Sequence, residues 1–106
     1  MDKELVLKLL ELAVKGETKQ ELPFEVGKSY FFRTATYHSL GKVKEIKGKF
    51  LTIETASWIA DSGRFMDFLD SGKANEVEPV HCPMIINTDS ICDAFEWSHK
   101  LLTEQK

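Results

Sequence analysis

The chain has 106 residues, of which 42% are hydrophobic and 29% charged, and its formal net charge is −3 at pH 7. These values predict a single soluble domain over residues 1–106, and the acidic balance disfavours nucleic-acid binding, which usually needs a basic excess or stripe. The N-terminus is acidic and does not resemble a signal peptide, and no run reaches the roughly 20 apolar residues that span a membrane. We therefore expect a cytoplasmic protein without membrane contact.

An amphipathic helix is predicted over residues 3–15, because Leu5, Leu9 and Leu12 recur at helical spacing. Further apolar residues lie beside this stripe, so the helix has more apolar surface than a small domain needs to cover itself. The excess predicts an interface with a second copy of the chain or with another protein. The alternative is that the helix covers its own domain. Residues 17–25 are polar and contain one proline, which predicts a linker.

Three strands are predicted over residues 26–56. β-forming residues dominate from position 26 to position 38, which is the first of these strands. Its aromatic side chains would alternate onto both faces, so both faces are expected to be covered along part of the strand. Arg33 and Tyr37 would share one face of it.

A β-hairpin is predicted next, with arms at residues 43–46 and 50–54 and a tight turn at Gly48. Val43 and Ile46 both suit an inward position although they are three residues apart. This spacing predicts a bulge in the first arm.

A helical insertion and a loop are predicted over residues 57–83. Asp61 or Ser62 is suited to cap a short helix that Gly72 ends. The helix would carry three apolar side chains on one side: Phe65, Phe68 and Leu69. Residues 73–83 are expected to form a polar loop. Residues 84–98 would then supply the last two strands, joined by a tight turn.

This order of elements resembles the Sm-like variety of the SH3-type barrel, with Gly41, Val43, the hairpin turn and Ala56 as its signature residues. The resemblance implies a mainly β fold with some α: a small, bent, antiparallel five-stranded barrel. It would have an N-terminal helix and a short helix inserted between strands 3 and 4. The segment WIADSGRF, at residues 58–65, also resembles small bacterial and prophage-encoded proteins.

The Sm-like resemblance also implies self-association. Members of that family join an edge strand of one subunit to the next and so form rings, which satisfies edges that a lone barrel would expose. In that family an asparagine in the hairpin helps to hold a uridine, and no asparagine lies between Gly41 and Ala56. The resemblance therefore implies ring assembly here more than it implies RNA binding.

The segment at residues 58–65 carries the most unusual combination of side chains in the chain: the large aromatic Trp58, the acid Asp61 and the base Arg64. Backbone N–H groups at a helix start, together with Arg64, would suit a carboxylate or a phosphate. The structural alternative is an ordinary helix start, with Asp61 as the cap, Trp58 in the core and Arg64 paired to a nearby acid.

A second candidate surface lies on or beside the first strand. Arg33 and Tyr37 would frame a polar pocket or a surface on which a ligand stacks, with His38 next to them. The alternative is a ladder of cross-strand charges with the hairpin. The predicted ligand- or partner-binding residues are therefore Arg33, Tyr37, His38, Trp58, Asp61 and Arg64.

No metal site, cofactor or catalytic residue is predicted. The histidines and cysteines lack the close paired spacing that is typical of a zinc site; they are His38, His81, Cys82, Cys92 and His99. Cys92 is expected to pack as a small buried hydrophobe. The catalytic alternative is a small cysteine–histidine enzyme centred on His81 and Cys82 with a carboxylate such as Asp61.

Four lysines lie on the predicted hairpin, at positions 42, 44, 47 and 49. Together with Arg33, Tyr37 and Phe50 they would suit contact with a nucleic acid or a nucleotide. Glu45 and Glu54 lie among them, however, and lysines on an exposed hairpin also prevent edge-to-edge aggregation. The solvated hairpin is therefore the simpler interpretation.

The function predicted from the sequence is a non-enzymatic, self-associating assembly or adaptor module that forms rings through barrel edge strands and the first helix. Its partners would be further copies of itself and another protein. The predicted oligomer interface consists of Leu5, Leu9, Leu12 and Phe50. A nucleic-acid-binding module and a small cysteine–histidine enzyme remain as alternatives.

Overall fold

The computed structural model describes residues 3–6 and 22–106 of the chain. Residues 3–6 are helical, as predicted for the start of the first helix. The rest of that helix, including Leu9 and Leu12 of the predicted interface, lies outside the described residues. No helix within these ranges is long and apolar enough to cross a membrane.

An antiparallel sheet forms the body of the described chain. Its elements are β1 (Ser29–Thr34), β2 (His38–Lys47), β3 (Phe50–Asp61), helix α1 (Phe65–Ser71), β4 (Glu76–Pro79), β5 (Met84–Asn87), a 3₁₀ turn (Thr88–Ser90) and β6 (Ile91–Glu96). The strands pair in the order β4-β3-β2-β1-β6, and β5 pairs with β3. The predicted mainly-β fold with some α is therefore confirmed. No pairing among these strands closes the sheet, so a closed barrel is not shown.

The sheet has six strands, and the prediction of five is wrong because the supposed loop at residues 73–83 contains β4. Val77 of this strand is buried opposite Ile59 of β3, while Glu76 and Glu78 are exposed. One apolar residue between two acids is too short an alternation to predict a strand from sequence. The packing of Val77 against β3 makes this segment a strand.

The turn between β1 and β2 comes earlier than predicted. The hydroxyl of Thr34 donates a hydrogen bond of 2.7 Å to the carbonyl of Tyr37, and the Thr34 backbone N–H donates to the same carbonyl at 3.0 Å. The chain therefore turns at residues 35–37. The expectation that Arg33 and Tyr37 share a face of one strand is wrong for this reason.

A close approach of β2 and β3 bends the sheet at Gly41. This residue lies opposite two residues of β3, Thr55 and Ala56, which form a β-bulge, and Thr55 has a φ of 51°. A Cβ atom on Gly41 would lie 2.2 Å from Cγ2 of Ile53, so a larger residue would force these strands apart. A second bulge, at Lys44, confirms the one predicted for the first hairpin arm.

Apolar clusters cover both faces of β1, as the alternation of its aromatic residues predicts. Tyr30 and Phe32 belong to an inner core enclosed by the bent sheet, and its other buried members are Val43, Leu51, Ile53, Ala56 and Ile86. Phe31 belongs to a helix-side core, which α1 covers. The other buried members of the helix-side core are Leu40, Ile59, Phe68, Ala74, Val77 and Trp97.

Candidate functional site

An open groove of about 500 Å³ lies where the β1–β2 turn, the second half of β3 and the segment leading into β5 meet. We call it the Trp58 groove. Tyr37 lines it from the β1–β2 turn, Ser39 from β2 and Trp58 from β3. Pro83, Met84 and Ile86 line it from β5 and the segment that leads into it. The remaining lining residues are also uncharged, so the groove is apolar with a few neutral polar groups.

Two half-exposed aromatic side chains form one part of the groove. The ring centroids of Tyr37 and Trp58 are 6.0 Å apart, with 42° between the ring planes. Tyr37 is 54% exposed and Trp58 is 50% exposed. The alternative prediction that Trp58 lies in the core is wrong, because half of its surface is exposed in the groove.

A buried hydroxyl without a partner lies beside these rings. Ser39 is 1% exposed, and its Oγ makes no hydrogen bond in the described chain. Such a group costs free energy in the folded protein unless a ligand or water pairs with it. At the rim, Asn87 accepts a hydrogen bond from the Asp89 backbone through its side-chain oxygen, which leaves its amide NH₂ able to donate.

Arg33 lies away from this groove and is bound within its own chain. Its Nε donates to Oδ1 of Asp93 at 2.6 Å, and its Nη2 donates to Oδ2 of the same carboxylate. The guanidinium carbon lies 4.4 Å from the Phe65 ring centroid and 5.5 Å from that of Phe95. The side-chain hydrogen bonds from Arg33 lower the pKa of Asp93 below its ordinary value. Arg33 therefore links β6 to α1, and it does not frame a pocket with Tyr37.

His38 lies on the same side as Arg33, which is its register partner across β1 and β2. Its ring packs edge-on against Phe31, with centroids 5.6 Å apart. The neighbouring Ser39 points to the opposite face because side chains alternate along a strand. The structure therefore separates His38 and Arg33 from Tyr37 and Trp58.

Asp61 and Arg64 lie in the connection between β3 and α1. Asp61 is the last residue of β3, and its Oδ1 accepts a hydrogen bond of 2.8 Å from the Gly63 backbone N–H. The N-cap position belongs to Arg64, whose side chain makes no cap hydrogen bond. The prediction that Asp61 or Ser62 caps the helix is therefore wrong, because both side chains are engaged with Gly63 in the turn before the helix begins.

An exposed apolar pair lies beside the open edge of β5. Phe50 is 46% exposed and Ile85 is 69% exposed. Ile85 is the register partner of Thr52, two residues from Phe50, so both side chains lie on the outer face of the sheet. β5 pairs only with β3, and β6 pairs only with β1, so each of these strands has an unpaired edge among the described residues.

The cysteines and histidines do not assemble into a metal site. Within residues 3–6 and 22–106, no three side chains of the types that bind metal are grouped around a common point. Cys82 and Cys92 are both free and exposed, so the prediction of a buried Cys92 is wrong. His81 and Cys82 share a shallow depression with Lys44 and Glu54.

Half of the hairpin lysines lie opposite acids. Lys42 is the register partner of Glu54, and the Nζ of Lys49 lies 2.9 Å from Oδ2 of Asp89. Lys44 and Lys47 are exposed to solvent. The hairpin is therefore a mixed-charge surface rather than a basic one.

Sequence reasoning placed Tyr37 and Trp58 among the candidates, but it missed Ser39 and Ile85. No sequence signal marks Ser39, because its burial depends on the pairing of β2 with β3. Ile85 and Ile86 are adjacent in a strand, so one of them must point outward. That alternation is the signal that would have found Ile85.

Comparisons with protein families, curated proteins and solved structures find no match to this chain. The resemblance to Sm-like barrels therefore stays a prediction.

Proposed function

We propose that the chain is a non-enzymatic, self-associating assembly module of the Sm-like type, whose copies join through the open edges of β5 and β6. The observation that carries the proposal is the unprotected edge of β5, with Ile85 69% exposed beside it and Phe50 46% exposed on the same face. Polypeptide edges of this kind pair readily with another strand.

The edge of β5 lacks two of the usual devices against pairing, charged side chains and proline within the strand, although the strand is short. Its four residues, Met84–Asn87, include no charge and no proline. The hairpin formed by β2 and β3, in contrast, presents the exposed lysines Lys44 and Lys47. Charged side chains and prolines are how monomeric proteins keep edge strands from pairing. The composition of β5 therefore supports a subunit contact at this edge.

The edge of β6 is compatible with such a contact because its charges are neutralised within the subunit. Asp93 is bound by Arg33, and Glu96 lies 3.1 Å from Nζ of Lys28. Joining the β5 edge of one copy to the β6 edge of the next is a head-to-tail contact between different surfaces. Such a contact generates a ring when the rotation from one copy to the next brings the last copy back to the first. Leu5, which is 50% exposed, supplies further apolar surface.

The experiment is the native mass of the purified protein, by light scattering across a series of protein and salt concentrations. We expect a defined oligomer that persists at high salt. Ile85→Lys places a charge at the β5 edge and should raise the dissociation constant by about 30-fold or more, the effect of a residue worth about 2 kcal/mol.

The matched control is Met66→Lys. Met66 is 57% exposed on α1, away from the edge, and this variant receives the same side chain. It should retain the mass of the unmodified protein. A monomer at all concentrations, or equal loss of mass in both variants, would contradict the proposal.

The two alternative functions have weaker support. A nucleic-acid-binding surface would use the exposed lysines Lys44 and Lys47 with Phe50, but the other two hairpin lysines lie opposite acids. An enzyme centred on His81 and Cys82 would need an enclosed site, and both side chains are exposed. Salt-dependent binding of an oligonucleotide, or rapid alkylation of Cys82 at neutral pH, would revive one or the other.

A further inference from the structure

We propose that the Trp58 groove binds an extended, uncharged peptide segment of a partner protein, with one aromatic or aliphatic side chain seated against Tyr37 and Trp58. This site goes beyond self-association, because it would give the assembly module a partner other than itself. It uses the groove between β2, β3 and β5, whereas self-association uses strand edges; Ile85 lies at the boundary of the two, because it lines the groove and also flanks the β5 edge.

The size and the walls of the groove suit one large apolar side chain and the backbone on either side of it. Its volume of about 500 Å³ falls in the range of ligand sites, about 300–1,000 Å³. Tyr37 and Trp58 present half-exposed rings, and Met84 and Ile86 add aliphatic surface. Aromatic residues that remain half exposed in a concave surface contribute strongly when a partner removes them from water.

The charge of the groove selects against charged ligands. None of its lining residues is charged, so a phosphate, carboxylate or ammonium group would lose hydration there without gaining a partner. The four hairpin lysines are not among the lining residues. A nucleic-acid backbone therefore finds no counter-charge in the groove, and an uncharged segment is complementary to it.

The polar groups of the groove suit an amide backbone. Ser39 holds a hydroxyl that is buried beside Trp58 and has no partner in the described chain, and Asn87 has a free amide donor at the rim. Peptide carbonyl groups accept hydrogen bonds from both kinds of donor. A sugar would bring many hydroxyl groups against Pro83, Met84 and Ile86, whose side chains offer no hydrogen bonds. A peptide satisfies both the apolar and the polar parts of the site.

The first test measures binding of blocked peptides, acetyl-Ala-Ala-X-Ala-Ala-amide with X as Phe, Leu, Glu or Lys, to the unmodified protein. The two tryptophan side chains give separate indole N–H signals in an NMR titration. Trp97 is buried and donates its indole N–H to the Lys100 carbonyl, so it is the internal control. We expect the Phe and Leu peptides to shift the Trp58 signal, with affinities about 10-fold or more above those of the Glu and Lys peptides.

The second test uses matched serine variants. Ser39→Ala removes the hydroxyl beside the groove, and should weaken binding of the Phe peptide by about 3- to 10-fold without lowering the melting temperature. Ser57 is the control, because it is also buried without a partner but lies on the helix side of the sheet, opposite Leu40. Ser57→Ala should leave peptide binding unchanged. Trp58→Ala should weaken it by about 10-fold or more.

Several results would overturn the proposal. Equal affinity for the charged and apolar peptides, or no shift of the Trp58 signal by any of them, would do so on the unmodified protein alone. A shift of the Trp58 signal by oligothymidylate or maltoheptaose instead would assign the groove to another ligand class. Dissociation of the oligomer by Trp58→Ala would make a second copy of the chain the occupant.

Discussion

The two faces of the β2–β3 sheet differ in what covers them. On the helix side, α1 places Phe68 in the core with no exposed surface, and the Arg33–Asp93 pair fastens α1 to β6. On the other face, the rings of Tyr37 and Trp58 remain half exposed in an open groove. The chain covers the helix side with α1, whereas on the other face it encloses the inner core but leaves the Trp58 groove open beside it, which is why binding is expected at the groove.

Two single residues, Arg33 and Trp58, show the same difference between covered and open regions. Both are unusual side chains that the sequence marks as functional candidates. Arg33 finds a carboxylate and two aromatic rings within the chain, so its binding capacity is used in folding. Trp58 has a ring contact with Tyr37 and stays 50% exposed. An unusual residue indicates a site only where the fold leaves it without partners.

The largest expected effect tests this difference directly. Phe68→Ala empties a site that is fully buried, and should lower the free energy of unfolding by about 3–5 kcal/mol. Trp58→Ala removes a larger side chain but one that is half exposed, and should cost about 1 kcal/mol or less. Urea unfolding followed by circular dichroism measures both. Similar losses in the two variants would show that Trp58 is a core residue.

A second prediction concerns the bend of the sheet at Gly41. Gly41→Ala places a methyl group 2.2 Å from Cγ2 of the buried Ile53, and should cost about 2–3 kcal/mol of unfolding free energy. Gly48→Ala is the control, because no atom lies within 4 Å of its added Cβ. The cost there comes from its positive φ alone and should be about 1 kcal/mol. Thermal unfolding of the two variants checks the order, and an equal loss would contradict the close approach.

The smallest effect concerns the ion pair on the covered face. Arg33 lowers the pKa of Asp93, and the charge of His38 acts in the same direction. The unfolded chain therefore takes up a proton at higher pH than the folded chain does. The stability from this pair is present above about pH 4 and is lost as the pH falls through the lowered pKa of the folded state.

Asp93→Asn should remove this part of the acid dependence, so its stability should fall less steeply below about pH 4 than that of the unmodified protein. Asp70→Asn is the control, since Asp70 is exposed on α1 and forms no ion pair in the described chain. Urea midpoints between pH 2.5 and pH 6 provide the measurement. An unchanged slope in Asp93→Asn would contradict a role for this pair in folding.

Elements with a strong local pattern were predictable from the sequence. The stripe of Phe65, Phe68 and Leu69 predicts α1, and the two strands predicted over residues 84–98 are observed as β5 and β6. β4 was not predictable, because its single buried residue, Val77, becomes apolar core only when β3 lies beside it. The candidate site was half predictable: its aromatic residues stand out in the sequence, but the buried state of Ser39 does not.

The sequence by itself determined that β1 has apolar residues on both faces and that the hairpin carries a bulge. These properties depend on neighbours along the chain. The tertiary structure alone decided that Arg33 pairs with Asp93, 60 residues away, and that Tyr37 meets Trp58 beside a buried hydroxyl. The reason is physical: each of these contacts requires two distant strands to be paired in one register, and shifting that register by one residue would turn every side chain of the strand to the other face.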